Sequence, residues 1–591
     1  MENKTNKSNG QNLTWSFKGM YSSPRDPRIE KDMKNYETLC NSFERKYKKS
    51  VSKFSNPSFL LKTLEDFRKI QELRKPFFYL HLYRSINSND AFVHGLDQKL
   101  NSRSTNASNK ILFFTNSLSK ISSGDQKKLL SDSKLSVYRQ FLKRLFVTGK
   151  FRLTDSEEKI VNLLSIPSYD MWYEGGSKKR SLEKITFEGK EIPLSEASSL
   201  MSNLPTEKRR SLYGEMLKVY ERNSDYAENE LNAIYTFKKI DDELRGHKTP
   251  YESTLISYDT QEKTLQSLLR SVKDGFKYSK EFYNLKKDLL NLPYLKYCDR
   301  AVSPGKIKKK FTFEESTKIL QNSFEKMDPE FRSILDKMLE DGRIDVMPKL
   351  GKRGGAFCSL RVNEPVHVML NHVNEFNSLM TFAHEMGHAI HSQLSKKQPA
   401  MYEYYSMAVA ETASTFFEKV VFDEVLKSLD VEDKKIALHN QLQGDVATIF
   451  RQVAGFLCEL DFHESVRKDG FVSKDIFAEK MNKYMSMYIG PSMKFEKEDG
   501  FFFVDWSHLR YFFYVYSYAF GQIVSKALYE EYKKDNNYVK NIKKFLSAGS
   551  SMSPEEIFKS IGVDTSKPDF FKKGIDSFAK DLKEFKKMLK K

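Results

Sequence analysis

The 591-residue chain has few of the residues that break helices. It contains 26 Gly and 17 Pro, together about 7% of the chain against about 12% in average proteins. Because these residues most often end a helix, their scarcity favours long helices. With 39% hydrophobic residues, the chain has the apolar content of a folded globular protein and not that of a disordered one. We therefore expect a mainly α-helical protein.

Cysteines and long apolar runs are also scarce. Cys40, Cys298, Cys358 and Cys458 are far apart and form no CxxC pair, which excludes a disulfide-dense framework and fits a reducing compartment. The opening MENKTNKSNGQN lacks the apolar core of a signal peptide. The longest apolar-looking stretch, Tyr511 to Ser525, has 15 residues, fewer than the roughly 20 that span a bilayer. The sequence therefore predicts a cytoplasmic protein without a membrane partner.

Basic residues outnumber acidic residues, with 98 Lys and Arg against 79 Asp and Glu and a formal net charge of +19. Clustered positive charge is typical of proteins that bind nucleic acid or anionic membranes. Here the basic residues are interleaved with acidic ones, as in KKLLSDSK and KDLKEFKKMLKK, which indicates solvated helix faces. The chain has no RNP motif, zinc-finger pattern or GxxxxGK[ST] loop. We expect no nucleic-acid partner, and a non-enzymatic basic binding protein stays open as an alternative.

The pattern along the chain predicts two regions. From Asp26 to about Lys184 the sequence is typical of successive amphipathic helices, with an exposed loop at the polar run NSRSTNASNK, Asn101 to Lys110. A soft boundary lies near residue 195. We therefore expect a helical N-terminal region, residues 1–195, followed by a second region, residues 196–591.

Two short segments are typical of β-hairpins. ITFEGKEIP, Ile185 to Pro193, predicts a hairpin that turns at Glu188-Gly189. AFCSLRV, Ala356 to Val362, and VHVMLN, Val366 to Asn371, are β-like runs separated by a turn-forming NEP. The second hairpin directly precedes the segment that carries the chemistry, so we expect a small β-sheet beside that segment.

The motif HEMGH, His384 to His388, is the sharpest chemical feature. It lies in the helical-looking SLMTFAHEMGHAIHS, where residues at i and i+4 share one face, so the imidazoles of His384 and His388 can bind one metal ion. Glu385 can then lie beside a metal-bound water. Zn²⁺ is the expected ion, because it accepts two nitrogens and a carboxylate and leaves a fourth position for water. The alternative is a pair of ordinary helix histidines.

A catalytic zinc site needs a third protein ligand. The metzincin arrangement HExxHxxGxxH is excluded, because position 391 is His in place of Gly and position 394 is Leu in place of the third His. The downstream carboxylates are Glu403, Glu411 and Glu418. Glu411 and Glu418 lie two turns apart in the helix-like SMAVAETASTFFEKV, so Glu411 could reach the ion with Glu418 behind it as an orienting carboxylate. A salt bridge is the alternative for Glu418.

Several segments resemble one known family. GKRGGAF, MLN, TFAHEMGHAIHS and AVAETASTFFE resemble the metal site of the thimet and oligoendopeptidase F family of zinc metallopeptidases. The opening WSFKGMYSSPRDPRIEKDM and the late WSHLRYFFYVYSYAFG resemble its oligoendopeptidase F branch, so the likeness covers nearly the whole chain. It implies that the third ligand lies 27 residues beyond the first His, which is Glu411 here. It also implies a helical peptidase fold enclosing a substrate channel, with an N-domain over residues 1–195 and a catalytic region over residues 196–591.

The late segment also has a physical interpretation. His508, Tyr511 and Tyr518 fall at i, i+3 and i+10, near one face if the segment is helical. Their imidazole and hydroxyl groups could bind the oxyanion that forms when water attacks a peptide carbonyl, whereas the alternative is an aromatic core helix. The resemblance implies that His508 is a transition-state histidine. We expect Tyr511 or Tyr514 to assist it and Tyr518 to contact the substrate.

The glycines of GKRGGAF, Gly351 to Phe357, predict a turn that enters a strand. The resemblance implies that the strand edge beside Gly354 and Gly355 pairs with the substrate backbone, since absent side chains allow another chain to approach closely. His391 lies one turn beyond HEMGH, and we expect a lining or structural role for it.

These patterns predict a zinc-dependent metalloendopeptidase that hydrolyses internal bonds of short peptides and holds one Zn²⁺ per chain. In this interpretation Glu385 takes a proton from the attacking water and later delivers it to the departing amine. A zinc-dependent carboxypeptidase or other exopeptidase on a related scaffold would use the same metal chemistry and is the first alternative. A metal-stabilised interaction protein is a further one. The sequence leaves the oligomeric state open.

Overall fold

The protein is described by a computed structural model that covers residues 7–8 and 11–590. Parts of the polar opening that argued against a signal peptide, residues 1–6 and 9–10, lie outside the described residues. The described chain is mainly helical, and its strands form three small sheets. This confirms the predicted fold class, in which helices dominate and a small sheet accompanies them.

The α-helices of the described chain differ widely in length, and short 3-10 and π turns connect several of them. In chain order they are α1 (Pro27–Tyr47), α2 (Pro57–Gln71), α3 (Lys75–Ile86), α4 (Ala91–Asn109), α5 (Leu112–Ser119), α6 (Ser123–Ser131), α7 (Arg139–Gly149), α8 (Asp155–Ser165), α9 (Met171–Ser181), α10 (Leu194–Leu200), α11 (Thr206–Arg245), α12 (Glu252–Ser257), α13 (Glu262–Leu289), α14 (Phe313–Met327), α15 (Pro329–Glu340), α16 (Phe376–Ser395), α17 (Met407–Leu426), α18 (Val431–Asp445), α19 (Arg451–Asp469), α20 (Lys474–Ile489), α21 (Tyr516–Lys534), α22 (Val539–Ser547), α23 (Pro554–Ser560) and α24 (Pro568–Leu589).

The described strands form two hairpins and one three-stranded sheet. They are β1 (Lys7–Ser8), β2 (Gln11–Asn12), β3 (Lys184–Phe187), β4 (Lys190–Pro193), β5 (Ile344–Asp345), β6 (Phe357–Ser359) and β7 (His367–Met369). The pairs β1–β2, β3–β4 and β6–β7 are antiparallel, which confirms both predicted hairpins. In the third sheet the order is β5-β7-β6, with β5 parallel to β7. Strand β5 was not predicted from the sequence, because a two-residue strand has no periodicity of its own.

The polar run Asn101 to Lys110, predicted to be a loop, lies almost entirely in α4, so that prediction was wrong. Asn, Ser and Thr are weak helix formers, but tertiary contacts stabilise the helix here. Ser104 and Ala107 are buried, and the Arg103 guanidinium donates hydrogen bonds to carboxylates on α1. A helix whose polar residues bind a neighbouring helix cannot be distinguished from a loop by hydropathy alone.

Contacts between Cα atoms divide the chain into two compact units. The first comprises residues 1–150, 309–428 and 528–563, and the second comprises residues 151–308, 429–527 and 564–591. Each unit is built from segments that are distant in sequence. The predicted division near residue 195, with an N-terminal domain before it, stays a prediction.

The three-stranded sheet of the first unit is fixed by residues from the start of the described chain. The Trp15 indole N–H lies within hydrogen-bond distance of the carbonyl oxygens of Arg343, at 3.1 Å, and Val368, at 2.9 Å. The backbone N–H of Trp15 donates to the Asp345 carboxylate on β5 at 3.2 Å. Helix α16 lies against β6 and β7. The sheet therefore supports the helix that carries HEMGH.

Helices α16 and α17 of the first unit approach each other very closely. A Cβ atom placed on Gly387 would lie 2.7 Å from the Ser414 Cα and 3.2 Å from the carbonyl oxygen of Ala413. Any side chain at position 387 would therefore push α17 away. The absence of a side chain at Gly387 brings the HEMGH face of α16 next to the middle of α17.

Within the part of the chain that the structure describes, every helix is too short or too polar to span a bilayer.

We predict that Gly387→Ala destabilises the first unit, because the added methyl group meets the backbone of Ser414. The expected loss is about 1–3 kcal/mol in the free energy of unfolding, typical of overpacking. Gly214→Ala in α11 is the matched control, since nothing lies within 4 Å of its added Cβ and Ala favours a helix. Urea denaturation of both variants measures the difference. Equal stability of the two would contradict the close approach.

Candidate functional site

Two histidines and a glutamate from α16 and α17 converge in the first unit. Among the described residues, His384, His388 and Glu411 offer one ligand atom each, and these atoms all lie within 4.8 Å of one another. The His384 Nε2 is 3.6 Å from the nearer Glu411 carboxylate oxygen. Ligands of a tetrahedral zinc ion with bonds of about 2.0–2.1 Å are roughly 3.3 Å apart, so this group has the spacing and the donor atoms of a metal site.

Glu418 lies beside the His384 ring, at the nitrogen that does not face Glu411. A Glu418 carboxylate oxygen is 3.0 Å from the His384 Nδ1. Burial alone would lower the pKa of His384, but the hydrogen bond and charge of Glu418 and the charge of Glu411 raise it to about 9. When Nδ1–H donates to Glu418, the lone pair of Nε2 is directed to a metal ion. Glu418 therefore fixes the His384 ring through a hydrogen bond and favours positive charge on it.

Burial and the nearby charge of His384 hold the pKa of His388 well below its usual range. A metal ligand must be a neutral imidazole, so this environment prepares His388 for binding. The residues present thus fit a metal ion in their donor atoms, and His388 also fits in its protonation.

Glu385 is buried next to the group. Burial and the charge of Glu411 raise the pKa of Glu385 to about 7. The charge of His384 and a hydrogen bond from the backbone N–H of Cys358 act in the opposite direction. Cys358 belongs to β6, so the strand edge holds the carboxylate in place. A carboxylate that titrates near neutrality suits proton transfer.

The other two candidates near the motif have different partners. Glu403 accepts a hydrogen bond from the backbone N–H of Val362 at 2.5 Å and pairs with Arg361 at 3.3 Å. His391 is fully buried and stacks on Tyr405, with ring centroids 3.9 Å apart. The structure therefore does not bring Glu403 or His391 into the metal group.

The glycine segment before β6 is held in a fixed shape. The Asn371 side-chain amide donates to the carbonyl oxygens of Arg353, at 2.9 Å, and Gly355, at 2.7 Å. The buried Lys352 ammonium pairs with the Asp345 carboxylate at 2.6 Å. Gly355 has a φ of 78°, which favours glycine. Nothing lies within 4 Å of a Cβ built on either Gly354 or Gly355, so this surface is open to an approaching chain.

The His508 segment belongs to the second unit. The predicted helical stripe is wrong here: residues Ser507–Arg510 form a 3-10 turn, the chain then leaves helical geometry, and α21 begins only at Tyr516. The His508 ring is nevertheless 5.3 Å from the Tyr514 ring and 6.1 Å from the Tyr518 ring. Burial, with the charge of Arg451, lowers the pKa of His508 to about 4. The ring is therefore neutral at pH 7.

Tyr511 adjoins this cluster through Tyr514 and turns its hydroxyl away from His508. Its side chain is 47% exposed, and its hydroxyl is hydrogen-bonded to that of Tyr173 on α9. Its ring centroid is 6.1 Å from that of Tyr514. The i+3 spacing from His508 therefore does not place Tyr511 against His508.

Comparison with known proteins decides the family. A family model described as "Peptidase family M3" matches residues 199–577, more than half of the chain. The chain belongs to peptidase family M3. This confirms the resemblance predicted from the sequence, and membership implies that a metal ion is bound.

Relatives of this M3 peptidase match along nearly its whole length. It is similar to "Oligopeptidase PepF" of Bacillus subtilis, at 24% identity over 98% of this chain and 87% of the relative. It is also similar to an "Oligoendopeptidase F homolog" of Borreliella burgdorferi, at 26% identity over 94% of each chain. The crystal structure of oligoendopeptidase-F from Enterococcus faecium has a TM-score of 0.70 at 18% identity, covering 94% of this chain and 98% of that one. The last likeness shows the fold.

Several contacts around these segments have no clear signal in the sequence. They include the hydrogen bonds of Asn371, which lies in MLN, and the buried pair of Lys352 with Asp345. Tyr173, the partner of Tyr511, is separated from it by more than three hundred residues. A polar residue that directly follows a predicted strand could have indicated Asn371, whereas no local pattern indicates Tyr173.

We predict that Glu418→Ala weakens metal binding by about 10–100-fold, because His384 loses the acceptor that orients its ring. Competition between the apoprotein and a chromogenic chelator, with zinc as the probe, measures the affinity. Glu424→Ala on the same helix is the control, since Glu424 pairs with Lys326 and Lys427. An unchanged affinity for Glu418→Ala would exclude an orienting role for Glu418.

Proposed function

We propose that this M3 peptidase is a zinc-dependent endopeptidase that cleaves internal bonds of short peptides. The observation that carries the proposal is the group of His384, His388 and Glu411, with the buried Glu385 beside it. The names of the relatives in Bacillus subtilis and Borreliella burgdorferi, an oligopeptidase and an oligoendopeptidase F homolog, support it. We propose short peptides as its substrates.

His384, His388 and Glu411 would hold one zinc ion per chain. Zinc, when bound, lowers the pKa of a coordinated water toward about 7 and polarises a carbonyl oxygen. Glu418 keeps the His384 ring in the orientation that ligation requires. Side chains and backbone groups of the protein carry out proton transfer, oxyanion stabilisation and substrate binding in this proposal.

Glu385 is the proposed general base and acid. Its carboxylate accepts a proton from the attacking water, and the resulting carboxylic acid delivers that proton to the departing amine. The backbone N–H of Cys358 holds the carboxylate in one orientation between the two transfers. The buried position of Glu385 keeps both protonation states accessible near neutral pH.

His508 is the proposed donor to the oxyanion, with Tyr514 or Tyr511 as the assisting hydroxyl. A neutral imidazole donates a hydrogen bond without a change of charge, which suits stabilisation of an oxyanion. The closeness of the Tyr514 ring to His508 favours Tyr514 over Tyr511. Tyr518 is the proposed contact to the substrate side chains.

The edge of β6 is the proposed binding surface for the substrate backbone. Among the described strands β6 pairs only with β7, and Gly354 and Gly355 leave the approach to it open. Main-chain hydrogen bonds would bind peptides with little preference for their side chains. We further propose a cytoplasmic location, because all four cysteines are free thiols, as in a reducing compartment.

We predict that Glu385→Gln keeps zinc but loses turnover by at least about 100-fold, because the amide cannot accept the proton. Glu411→Ala should lose both zinc and turnover, since it removes a ligand. Cleavage of an internally quenched peptide with blocked ends, together with zinc analysis, separates the two effects. Glu424→Gln is the control for a charge change on α17.

The blocked ends also decide between the two kinds of peptidase. An exopeptidase needs a free terminus and would leave this substrate intact, whereas an endopeptidase cleaves it at an internal bond that mass analysis of the products identifies. No cleavage by the zinc-loaded wild type would overturn the proposed function. Normal hydrolysis by Glu385→Gln would falsify the base assignment.

We predict that His508→Phe lowers kcat by about 100-fold with little change in KM or zinc content, because the imidazole acts on charge that develops in the transition state. Steady-state kinetics with the quenched peptide measures both constants. His439→Phe is a control for removing a buried imidazole from the same unit. An unchanged kcat for His508→Phe would remove His508 from the reaction.

A further inference from the structure

The backbone just after His508 adopts a rare conformation. Phe512 has a φ of 35° and Phe513 a φ of 62°, two consecutive aromatic residues in the left-handed region. Bulky residues rarely adopt positive φ because the Cβ atom crowds the backbone. Such strain persists only where the surroundings over-determine it, and it concentrates at functional sites.

Four side chains of the second unit hold this backbone through hydrogen bonds. They come from four different elements. The Tyr235 hydroxyl on α11 donates to the Leu509 carbonyl at 3.0 Å, and the Tyr169 hydroxyl in the π turn Ile166–Asp170 donates to the Arg510 carbonyl at 2.5 Å. The Thr254 hydroxyl on α12 donates to the Phe512 carbonyl at 2.9 Å, and the Phe513 N–H donates to the Glu459 carboxyl group on α19 at 2.8 Å.

Arg510 adds a buried ion pair to these contacts. Its guanidinium is completely buried and lies 2.7 Å from the equally buried carboxylate of Glu230. The same guanidinium donates to the carbonyl oxygens of Phe503, at 2.8 Å, and Trp506, at 3.1 Å. Both ends of the His508 turn are therefore fixed from within the unit.

Glu459 occupies a special place among these partners. Its side chain is buried and accepts the hydrogen bond from the backbone N–H of the strained residue Phe513. Burial raises the pKa of Glu459 to about 8, although the Phe513 N–H and the charge of Lys238 oppose the rise. The carboxyl group is therefore mainly neutral at pH 7 and accepts the hydrogen bond without a full charge. A glutamine of the same length can do the same.

We propose that Glu459 is a positioning residue for the reaction: by holding the Phe513 N–H it keeps the Phe512–Phe513 turn in the left-handed region and so places Tyr514 against His508. Tyr514 directly follows this turn, and a return of Phe513 to negative φ would redirect the chain that carries it. The role rests on the proposed function, because it acts through the proposed oxyanion residues. Membership of family M3 and the group of His384, His388 and Glu411 do not by themselves imply this role for Glu459.

The test compares substitutions that keep or remove the acceptor. Glu459→Gln should keep kcat within about twofold of the wild type, because its carbonyl oxygen still accepts from Phe513. Glu459→Met, which has similar length and no acceptor, should lower kcat at least about tenfold while KM and zinc content stay within about twofold. Glu464→Gln, an exposed position on the same helix, is the control. Equal kcat for Glu459→Met and the wild type would overturn the proposal.

Thr254→Val gives a second route if Glu459→Met does not fold. This substitution preserves shape and removes the hydroxyl that binds the Phe512 carbonyl. It should lower kcat by a few-fold without a change in KM, whereas a wild-type kcat would overturn the proposed link between the turn and turnover.

A double substitution separates positioning from mere stability. Glu459→Met combined with His508→Phe should have the kcat of His508→Phe alone, because Glu459 acts through the His508 cluster. Multiplied losses in the double variant would show that Glu459 acts independently and would overturn the proposal. Failure of the proposed function is distinguishable, since the zinc-loaded wild type would then not cleave the peptide at all.

Discussion

The metal group of this M3 peptidase depends on the contact between α16 and α17 at Gly387. Helices separated by side chains usually have axes about 8–10 Å apart, and a side chain at Gly387 would meet the backbone of Ser414. Because Gly387 lies inside HEMGH, the close contact is centred on the segment that carries His384 and His388. Glu411 on α17 therefore reaches His384 on α16, and Glu418, two turns further along α17, reaches the other nitrogen of the same ring.

This contact also concentrates negative charge. Glu385, Glu411 and Glu418 surround His384, and their effect is visible in the raised pKa values of His384 and Glu385. A divalent cation near these carboxylates would balance this charge, so the electrostatics of this place favour a metal. The overall charge of +19 is a separate property, because many Lys residues form exposed helix pairs such as Lys318 with Glu314. Exposed pairs of this kind contribute little to stability.

The parts of the site that could be predicted from the sequence are those that depend on local geometry. The i and i+4 spacing of His384 and His388 fixes both imidazoles on one face of any helix, and both hairpins follow from alternating residues around turns. Spacing alone left three carboxylates open for the third ligand, and the resemblance to a family favoured Glu411. Only the packing of distant segments shows that Glu403 binds Arg361, and polar α4 is a helix for the same non-local reason.

The turn around His508 is the clearest case of a shape that local sequence patterns do not predict. Helical periodicity fits the aromatic residues there, yet the chain breaks the helix at Phe512 and Phe513, at a cost of about 1–2 kcal/mol for each left-handed residue. The broken helix brings Tyr514 to His508 and turns Tyr511 outward to Tyr173. In a straight helix the backbone N–H and C=O groups would bond to one another. In the strained turn, side chains from four separate elements bond to these backbone groups instead. A local rule thus fails where the surrounding structure is most specific, and backbone strain of this kind concentrates at functional sites.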